Sequence, residues 1–275
     1  MLEVSRFVAV GDSFTEGMCD VGADGDYLGW ADRVAAELAP ANPGFRYANL
    51  AIRGRKLPAI LAEQMPIALA LQPDLVSLAG GTNDLLRPSV DLGAMARDLD
   101  RAVSELTSAG SRVLMFTGLD PSWRGGWARR LVPRVMALNA ITERAARRHG
   151  VIVVDLWDAS PAFADPRMWA VDRLHLTSEA HYRVTQAVLE TLGYPYDPQW
   201  RVPLAPVPAT PRRGQLTEDV EWVREHLGPW VHRRLTGRSS GDGLLGKQPT
   251  LGPVLDRAPA DRPDVQSKTT RASAT

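Results

Sequence analysis

Short apolar runs alternate along the chain with longer stretches whose apolar residues recur at helical spacing. The apolar runs predict five buried β-strands, at residues 6–10, 45–50, 74–79, 112–116 and 151–154. The amphipathic stretches predict five helices, at residues 30–39, 57–71, 92–106, 129–149 and 178–192. Strands that are apolar on both faces and separated by helices indicate an α/β fold, in which helices cover both faces of a parallel sheet.

The pattern changes after Gly193. Residues 194–211 are Pro-rich and aperiodic, which predicts a linker or a strap over the domain. Residues 216–235 return to helical spacing, and their apolar stripe packs either on the main domain or, through residues 216–238, on a protein partner or a second copy. We expect three parts. Residues 1–193 form a domain, and residues 194–252 contain the linker, this helix and a basic Gly/Ser-rich stretch. Residues 253–275 are poor in apolar side chains and form a disordered tail.

Composition narrows the class of protein. The 32 basic side chains are balanced by 32 acidic ones, so no global charge favours a nucleic-acid partner or a membrane surface. The single cysteine, Cys19, excludes an internal disulfide. The chain starts without the pattern of a signal peptide, and its apolar runs are shorter than the ~20 residues that cross a bilayer. We therefore expect a cytoplasmic protein without stable membrane insertion.

Ser13 ends the first apolar run, in the sequence Gly11-Asp12-Ser13. A serine hydroxyl becomes a good nucleophile when a neighbouring base takes its proton. A turn at the carboxyl end of a strand would expose that hydroxyl where open parallel sheets place their binding sites. Asp and Ser are also favoured in ordinary turns and helix N-caps, so the tripeptide alone leaves both interpretations open.

Two later segments can supply hydrogen-bond donors to a substrate oxygen. Gly54 ends residues 49–54, after the second predicted strand, and no side chain blocks its N–H group. Asn83 lies in residues 80–84, after the third strand, and carries a side-chain amide. One side-chain donor of this kind can stabilise a transition state by about 3 kcal/mol. Both segments are also typical of turns, and taken singly they leave that interpretation open.

Asp172 and His175 lie just before the last predicted helix. Three residues of separation allow one short turn to present a histidine base together with a carboxylate that orients it. The other histidines are at helical positions or in the extension: His149, His181, His226 and His232. The sequence has no His-x-x-x-His pair near carboxylates, and we expect neither a metal nor another cofactor.

In order and in placement, these four segments resemble the motifs of the SGNH hydrolases, also called the GDSL family of esterases and lipases. The resemblance covers roughly residues 5–193. It implies a flavodoxin-like three-layer sandwich around a five-stranded parallel sheet, and ester hydrolysis without a cofactor. Phe14 stands where the family has leucine after the serine, and we expect it to pack beneath the turn without a catalytic consequence.

The resemblance also implies roles for individual residues. Ser13 would be the nucleophile, His175 the general base and acid, and Asp172 the partner that fixes the tautomer of His175. The oxyanion hole would consist of the backbone N–H groups of Ser13 and Gly54 and the side chain of Asn83.

Two long loops, at residues 118–127 and 157–171, also follow strands. The first carries Gly125-Gly126 between two tryptophans, which predicts either a mobile flap or a packed surface loop. Arginines near the rim suggest an anionic or polyhydroxylated substrate. The candidate substrate-contacting residues are Asp12, Arg53, Asp84, Arg87, Trp123, Arg124 and Arg173.

The function expected from these observations is hydrolysis of small acyl or acetyl esters. An acyltransferase or a thioesterase would use the same residues and differ in the molecule that reaches the acyl-enzyme. A catalytically silent binding or scaffold protein that works through residues 216–238 is the alternative from another class.

Overall fold

A computed structural model describes residues 2–206 and 240–255. The predicted helix at 216–235, the candidate partner surface at 216–238 and most of the tail predicted to be disordered lie outside the described residues. Within the described residues, no helix has both the length and the apolar character needed to cross a membrane.

One sheet organises the described residues. Its strands are Arg6–Gly11 (β1), Arg46–Asn49 (β2), Leu75–Ala79 (β3), Arg112–Phe116 (β4), Ile152–Val154 (β5) and Gln248–Gly252 (β6). They lie in the order β5-β4-β3-β1-β2-β6. The first five are parallel, and β6 runs antiparallel to β2.

Helices follow the strands, as the periodicity predicts. The α-helices are Ser13–Glu16 (α1), Gly29–Leu38 (α2), Leu57–Glu63 (α3), Met65–Ala70 (α4), Thr82–Leu85 (α5), Leu92–Ser108 (α6), Val132–His149 (α7) and Ser178–Leu192 (α8). Short 3-10 helices are Ala39–Ala41, Ser122–Arg124, Gly126–Leu131, Ser160–Phe163, Pro166–Met168 and Pro198–Arg201.

Two apolar cores cover the two faces of the sheet. Successive side chains of a strand point to opposite faces, so Phe7 of β1 packs with α2 and α8 while Val8 packs with α6 and α7. All four of these elements bury a stripe of apolar residues against the sheet. The predicted three-layer α/β sandwich is confirmed.

The predicted helix at 57–71 is two helices, α3 and α4. Pro66 has no N–H group to donate to the preceding turn, which weakens a continuous helix at this point. Gln64, at the junction, is buried and turns its side chain toward β1.

The sheet has one strand more than the sequence predicts. β6 comes from the segment assigned to the extension, and it pairs with β2 at the edge of the sheet with an irregular register. An edge strand tolerates Pro249, because the missing N–H need not face a neighbour. Residues 194–206 also lie on the domain: Trp200 is buried, and the Asp197 N–H donates to Gln186 of α8 at 2.8 Å.

Lys247, directly before β6, links this edge strand to the rest of the domain through an ion pair and hydrogen bonds. Its Nζ lies 2.9 Å from Asp32 Oδ2, with side-chain exposures of only 13% and 8%. The ammonium also donates to the carbonyl oxygens of Glu16 and Leu28, at 2.8 and 2.7 Å. Tyr47 of β2 donates to the other Asp32 oxygen at 2.8 Å, so the buried carboxylate has partners on both oxygens.

We expect Lys247→Met to lower the free energy of unfolding by about 3 kcal/mol, because it leaves the buried Asp32 carboxylate without its cation. Denaturant unfolding of the variant measures the effect. Lys56→Met, which removes an exposed lysine, is the control and should change stability little. Equal stability of the two variants would contradict the structural role of Lys247.

Candidate active site

Ser13 lies where the chain leaves the sheet. β1 ends at Gly11, Asp12 caps α1 by accepting from the Phe14 N–H at 3.1 Å, and Ser13 is the first residue of α1. A Cβ atom on Gly11 would come 2.5 Å from Thr15 Oγ1 and 2.6 Å from the carbonyl oxygen of Ala79. A side chain at position 11 therefore has no room between α1 and β3.

Gln64 fixes the end of β1. Its Oε1 accepts from the Gly11 N–H and its Nε2 donates to the Gly11 carbonyl, both at 2.9 Å. The amide thus holds both polar groups of the residue that precedes the turn. Sequence reasoning missed this residue, because a glutamine within a predicted helix gives no sign of a partner so distant in the chain.

The side chains of Ser13, His175 and Asp172 form a chain of hydrogen bonds. His175 Nδ1 lies 2.5 Å from Asp172 Oδ2, and His175 Nε2 lies 2.9 Å from Ser13 Oγ. An ionised carboxylate only accepts, so Nδ1 carries the hydrogen and Nε2 accepts from the serine hydroxyl. In this arrangement His175 can take the proton of Ser13.

The loop before α8 holds Asp172 in place. Its Oδ1 accepts from the backbone N–H groups of Leu174 and His175, at 2.9 and 3.0 Å. Burial alone would raise the pKa of Asp172, but the hydrogen bonds that it accepts and its electrostatic interaction with His175 outweigh burial and lower the pKa below its usual range. The carboxylate is therefore ionised at neutral pH.

Asn83, in α5, faces Asp12 across the site. Its Nδ2 donates to Asp12 Oδ2 and to the carbonyl oxygen of Arg55, both at 3.0 Å. Burial raises the pKa of Asp12 to about 6, against opposing contributions from the Phe14 N–H and from His175. Both amide hydrogens of Asn83 thus have acceptors already.

Backbone N–H groups remain available nearby. Within the described residues, neither the Ser13 nor the Gly54 N–H has a hydrogen-bond acceptor. Gly54 is exposed and adopts a positive φ of 75°. It does not form part of the wall of the pocket that contains Ser13 and Asn83.

That pocket is mostly apolar, and its volume is about 260 Å³. Val135 and Leu138 of α7 face it, as do Leu78 and Met115 at the ends of β3 and β4. The sequence shows that these residues are apolar, but the spacing of apolar residues alone does not distinguish a packed core from the wall of a cavity.

The structure separates the candidate substrate-contacting residues. Asp12 and Arg124 line the pocket, and the other candidates do not. Arg53 pairs with Glu16 and lies over the ring of Tyr27 at 4.8 Å. Of the remaining candidates, Asp84 accepts from the Leu57 N–H at 2.9 Å, and the ring of Trp123 packs at a tilt against that of Trp169, with centroids 6.3 Å apart. Arg87 is half-buried and Arg173 is exposed.

His181 also lines the pocket, but it is buried and accepts at Nδ1 from the Trp30 N–H at 3.3 Å. Burial lowers the pKa of His181 to about 4, despite the nearby Asp20. This histidine is therefore neutral at physiological pH, and its Nδ1 already accepts a hydrogen bond, which makes it a poorer candidate for proton transfer than His175.

Among the described residues, one group has the composition of a metal site. Ligand atoms of Cys19, Asp172 and His175 lie within 4.8 Å of one another. Burial raises the pKa of the Cys19 thiol to about 11, which disfavours the thiolate that metals bind. Asp172 and His175 are already bonded to each other, so we retain the prediction that the site works without a metal.

The chain is similar to known proteins both in sequence and in structure. The model of the GDSL-like lipase/acylhydrolase family matches residues 9–183. Among curated proteins, comparison of the sequence gives no match.

Similar solved structures share the fold. The acetylxylan esterase Axe2 from Geobacillus stearothermophilus has a TM-score of 0.60 at 21% identity, over 70% of this chain and 95% of its own. LAE5, an alpha/beta hydrolase from the metagenome of Lake Arreo, Spain, has a TM-score of 0.59 at 23% identity, over 69% and 95%. TesA has a TM-score of 0.57 at 22% identity, over 68% and 97%.

The raised pKa of Asp12 predicts a pH dependence of stability. Between the ordinary value of 3.8 and about 6 the folded state binds more protons than the unfolded state, so the free energy of unfolding falls as the pH rises through this window. Asp12→Asn removes the titration. We expect the free energy of unfolding of the variant, relative to that of the parent, to increase by about 2–3 kcal/mol between pH 4 and pH 8. Denaturant unfolding at the two pH values measures this change.

The control for this comparison is Asp158→Asn, since Asp158 is an exposed carboxylate. Its stability relative to the parent should change little over the same pH range. If Asp12→Asn behaves like Asp158→Asn, the burial of an Asp12 charge does not weaken the fold.

Proposed function

The chain belongs to the GDSL-like lipase/acylhydrolase family and is a carboxylic ester hydrolase, and we propose that it works through an acyl-enzyme on Ser13. The observation that carries this proposal is the chain of hydrogen bonds from Ser13 through His175 to Asp172. The substrate is a small-molecule ester. A cytoplasmic location, expected from the sequence, stays a prediction.

In the first half-reaction, Ser13 Oγ attacks the ester carbonyl while His175 Nε2 takes the hydroxyl proton. The imidazolium is stabilised by Asp172, which accepts from Nδ1 throughout. When the bond between the carbonyl carbon and the alcohol oxygen breaks, His175 returns its proton to the leaving alcohol. The acyl group then remains on Ser13.

In the second half-reaction, a water molecule attacks the acyl carbon and His175 takes its proton. The bond to Ser13 Oγ breaks, and the serine regains a proton from His175. The net change is one ester and one water converted to an acid and an alcohol. Axe2 structures described as catalytic mutants carry changes at a serine, an aspartate and a histidine, the last two spaced three residues apart like Asp172 and His175.

The negative charge of the tetrahedral intermediate needs donors. We propose the N–H groups of Ser13 and Gly54, whose hydrogens are available, and the side chain of Asn83. Because Asn83 already donates to Asp12 and Arg55, one of its hydrogens must turn toward the oxyanion as the charge develops. Donors aimed at developing charge are often the largest single contribution to such catalysis.

We propose that the acyl chain binds in the apolar pocket. An apolar protein cavity of roughly 150 Å³ is large enough to hold benzene, and this pocket has about 260 Å³. It therefore has room for acyl groups beyond the acetyl end of the range expected from the sequence. Each buried CH₂ group contributes about 0.8 kcal/mol, which favours medium-length chains over acetyl.

Hydrolysis of p-nitrophenyl esters by the parent and by Ser13→Ala tests the acyl-enzyme. We expect the variant to lose at least about 10³-fold in kcat, as removal of a catalytic nucleophile does. A fluorophosphonate should label the parent at Ser13 and leave the variant unlabelled. Undiminished activity of Ser13→Ala would exclude Ser13 as the nucleophile.

Acyl chain length tests the pocket. We expect kcat/KM of the parent to rise about tenfold or more from acetate to hexanoate, because the added CH₂ groups leave water. Val135→Trp, which fills the pocket, should abolish this rise and retain activity on acetate. Met136→Trp is the control: this neighbouring residue of α7 is exposed. An unchanged chain-length profile in Val135→Trp would place the acyl group elsewhere.

A further inference from the structure

Arg124 differs from the other arginines of the rim. Arg53 is bound to Glu16, and Arg173 is exposed. Arg87 has a buried Nε without a partner, but it lies outside the pocket wall. Arg124 lines the pocket together with Ser13 and His175.

The guanidinium of Arg124 is held in one orientation. It lies 3.9 Å from the ring centroid of Trp169 and 5.1 Å from that of Trp123. Its Nη1 donates to the carbonyl oxygen of Arg173. Contacts with aromatic rings and a backbone oxygen fix a planar guanidinium without neutralising its charge.

One end of this group has no partner. Nη2 is buried, and within the described residues it has no hydrogen-bond acceptor. No carboxylate among these residues pairs with Arg124. The nearby Asp172 accepts from His175 and Leu174, and Asp120, also on the pocket wall, accepts from Ser122 at both oxygens.

A buried donor without an acceptor is costly, typically by about 1–3 kcal/mol and by more for a charged group. Burial lowers the pKa of Arg124 to about 10, although Asp172 opposes the shift. The group is therefore a cation at neutral pH, and its Nη2 lacks an acceptor although Arg124 lines the same pocket as Ser13 and His175. A ligand that brings its own negative charge would satisfy both the donor and the charge.

We propose that Arg124 binds an anionic group, a carboxylate or a phosphate, on the alcohol part of the substrate. The inference rests on the proposed ester hydrolysis. Arg124 is bonded to the carbonyl of Arg173, two residues before His175, and His175 delivers its proton to the leaving alcohol. The acyl part has the apolar wall along α7, where a charge would lose its hydration without a partner.

A purely structural role for Arg124 is the competing explanation. Its bond to Arg173 joins the loop at residues 118–127 to the loop that carries His175, so its loss could weaken the site for every substrate. The two explanations differ in one respect: a binding role affects anionic substrates selectively, and a structural role affects charged and neutral substrates alike.

The test compares two hexanoate esters whose alcohols are 4-hydroxybenzoate, which is anionic, and methyl 4-hydroxybenzoate, which is neutral. We expect Arg124→Met to lower kcat/KM for the anionic ester about tenfold or more relative to the neutral ester, because a charge-assisted hydrogen bond is lost. The ratio of kcat/KM for the anionic ester to kcat/KM for the neutral ester is compared between the variant and the parent. This comparison cancels the different reactivity of the two leaving groups.

Two further variants sharpen the comparison. Arg124→Lys keeps the charge and loses the planar fork, so it should retain part of the preference for the anionic ester. Arg130→Met removes an exposed arginine of the adjoining 3-10 helix and the same net charge, and it should leave the preference unchanged. An equal loss on both esters in Arg124→Met, or no loss on either, would overturn the inference.

Binding provides a readout independent of turnover. In a Ser13→Ala background, the intact anionic ester should bind about tenfold more weakly when Arg124→Met is added, and the neutral ester should bind equally in both. If the parent cleaves the neutral ester but shows no selective effect of Arg124, the inference about Arg124 fails alone. If neither ester is cleaved and Ser13 takes no fluorophosphonate, the proposed function fails, and the binding comparison still decides the role of Arg124.

Discussion

The site depends on how β1 ends. The chain must leave the sheet directly after Gly11 so that Ser13 faces the pocket, yet the N–H and carbonyl groups of the buried Gly11 need partners. The side-chain amide of Gln64 binds both groups: it accepts from the N–H and donates to the carbonyl oxygen, as the backbone of a neighbouring strand would. With Gly11 held from one side and crowded by Thr15 and Ala79 on the other, the turn into α1 has little freedom.

The groups that we propose as catalytic lie in separate connections that follow different strands, yet they meet because parallel strands end at one edge of the sheet. Ser13 follows β1, Asn83 follows β3, and His175 lies in the long connection after β5. This convergence explains why the sequence predicts so much here. Strand ends can be read from apolar runs that stop at polar turn residues, and a shared edge then brings distant positions together without any knowledge of their contacts.

Other features depend on partners that no local pattern reveals. The pairing of Gln64 with Gly11 and that of Lys247 with Asp32 each join positions with no regular spacing between them. β6 is short, contains Pro249 and has no alternation, so it is defined by the edge it joins rather than by its own residues. The pocket escaped prediction for a different reason: Val135 and Leu138 have the same apolar pattern whether they touch a neighbour or an open space.

Lys247 also bears on the order in which the protein is completed during synthesis. Asp32 and Tyr47 emerge from the ribosome some 200 residues before the cation that pairs with this carboxylate. Until Lys247 follows, Asp32 can accept from Tyr47 but has no cation to pair with, and the edge of β2 stays open to other strands. The contacts that Lys247 makes with Asp32 and with Glu16 at the end of α1 thus form only after the proposed catalytic residues have been translated.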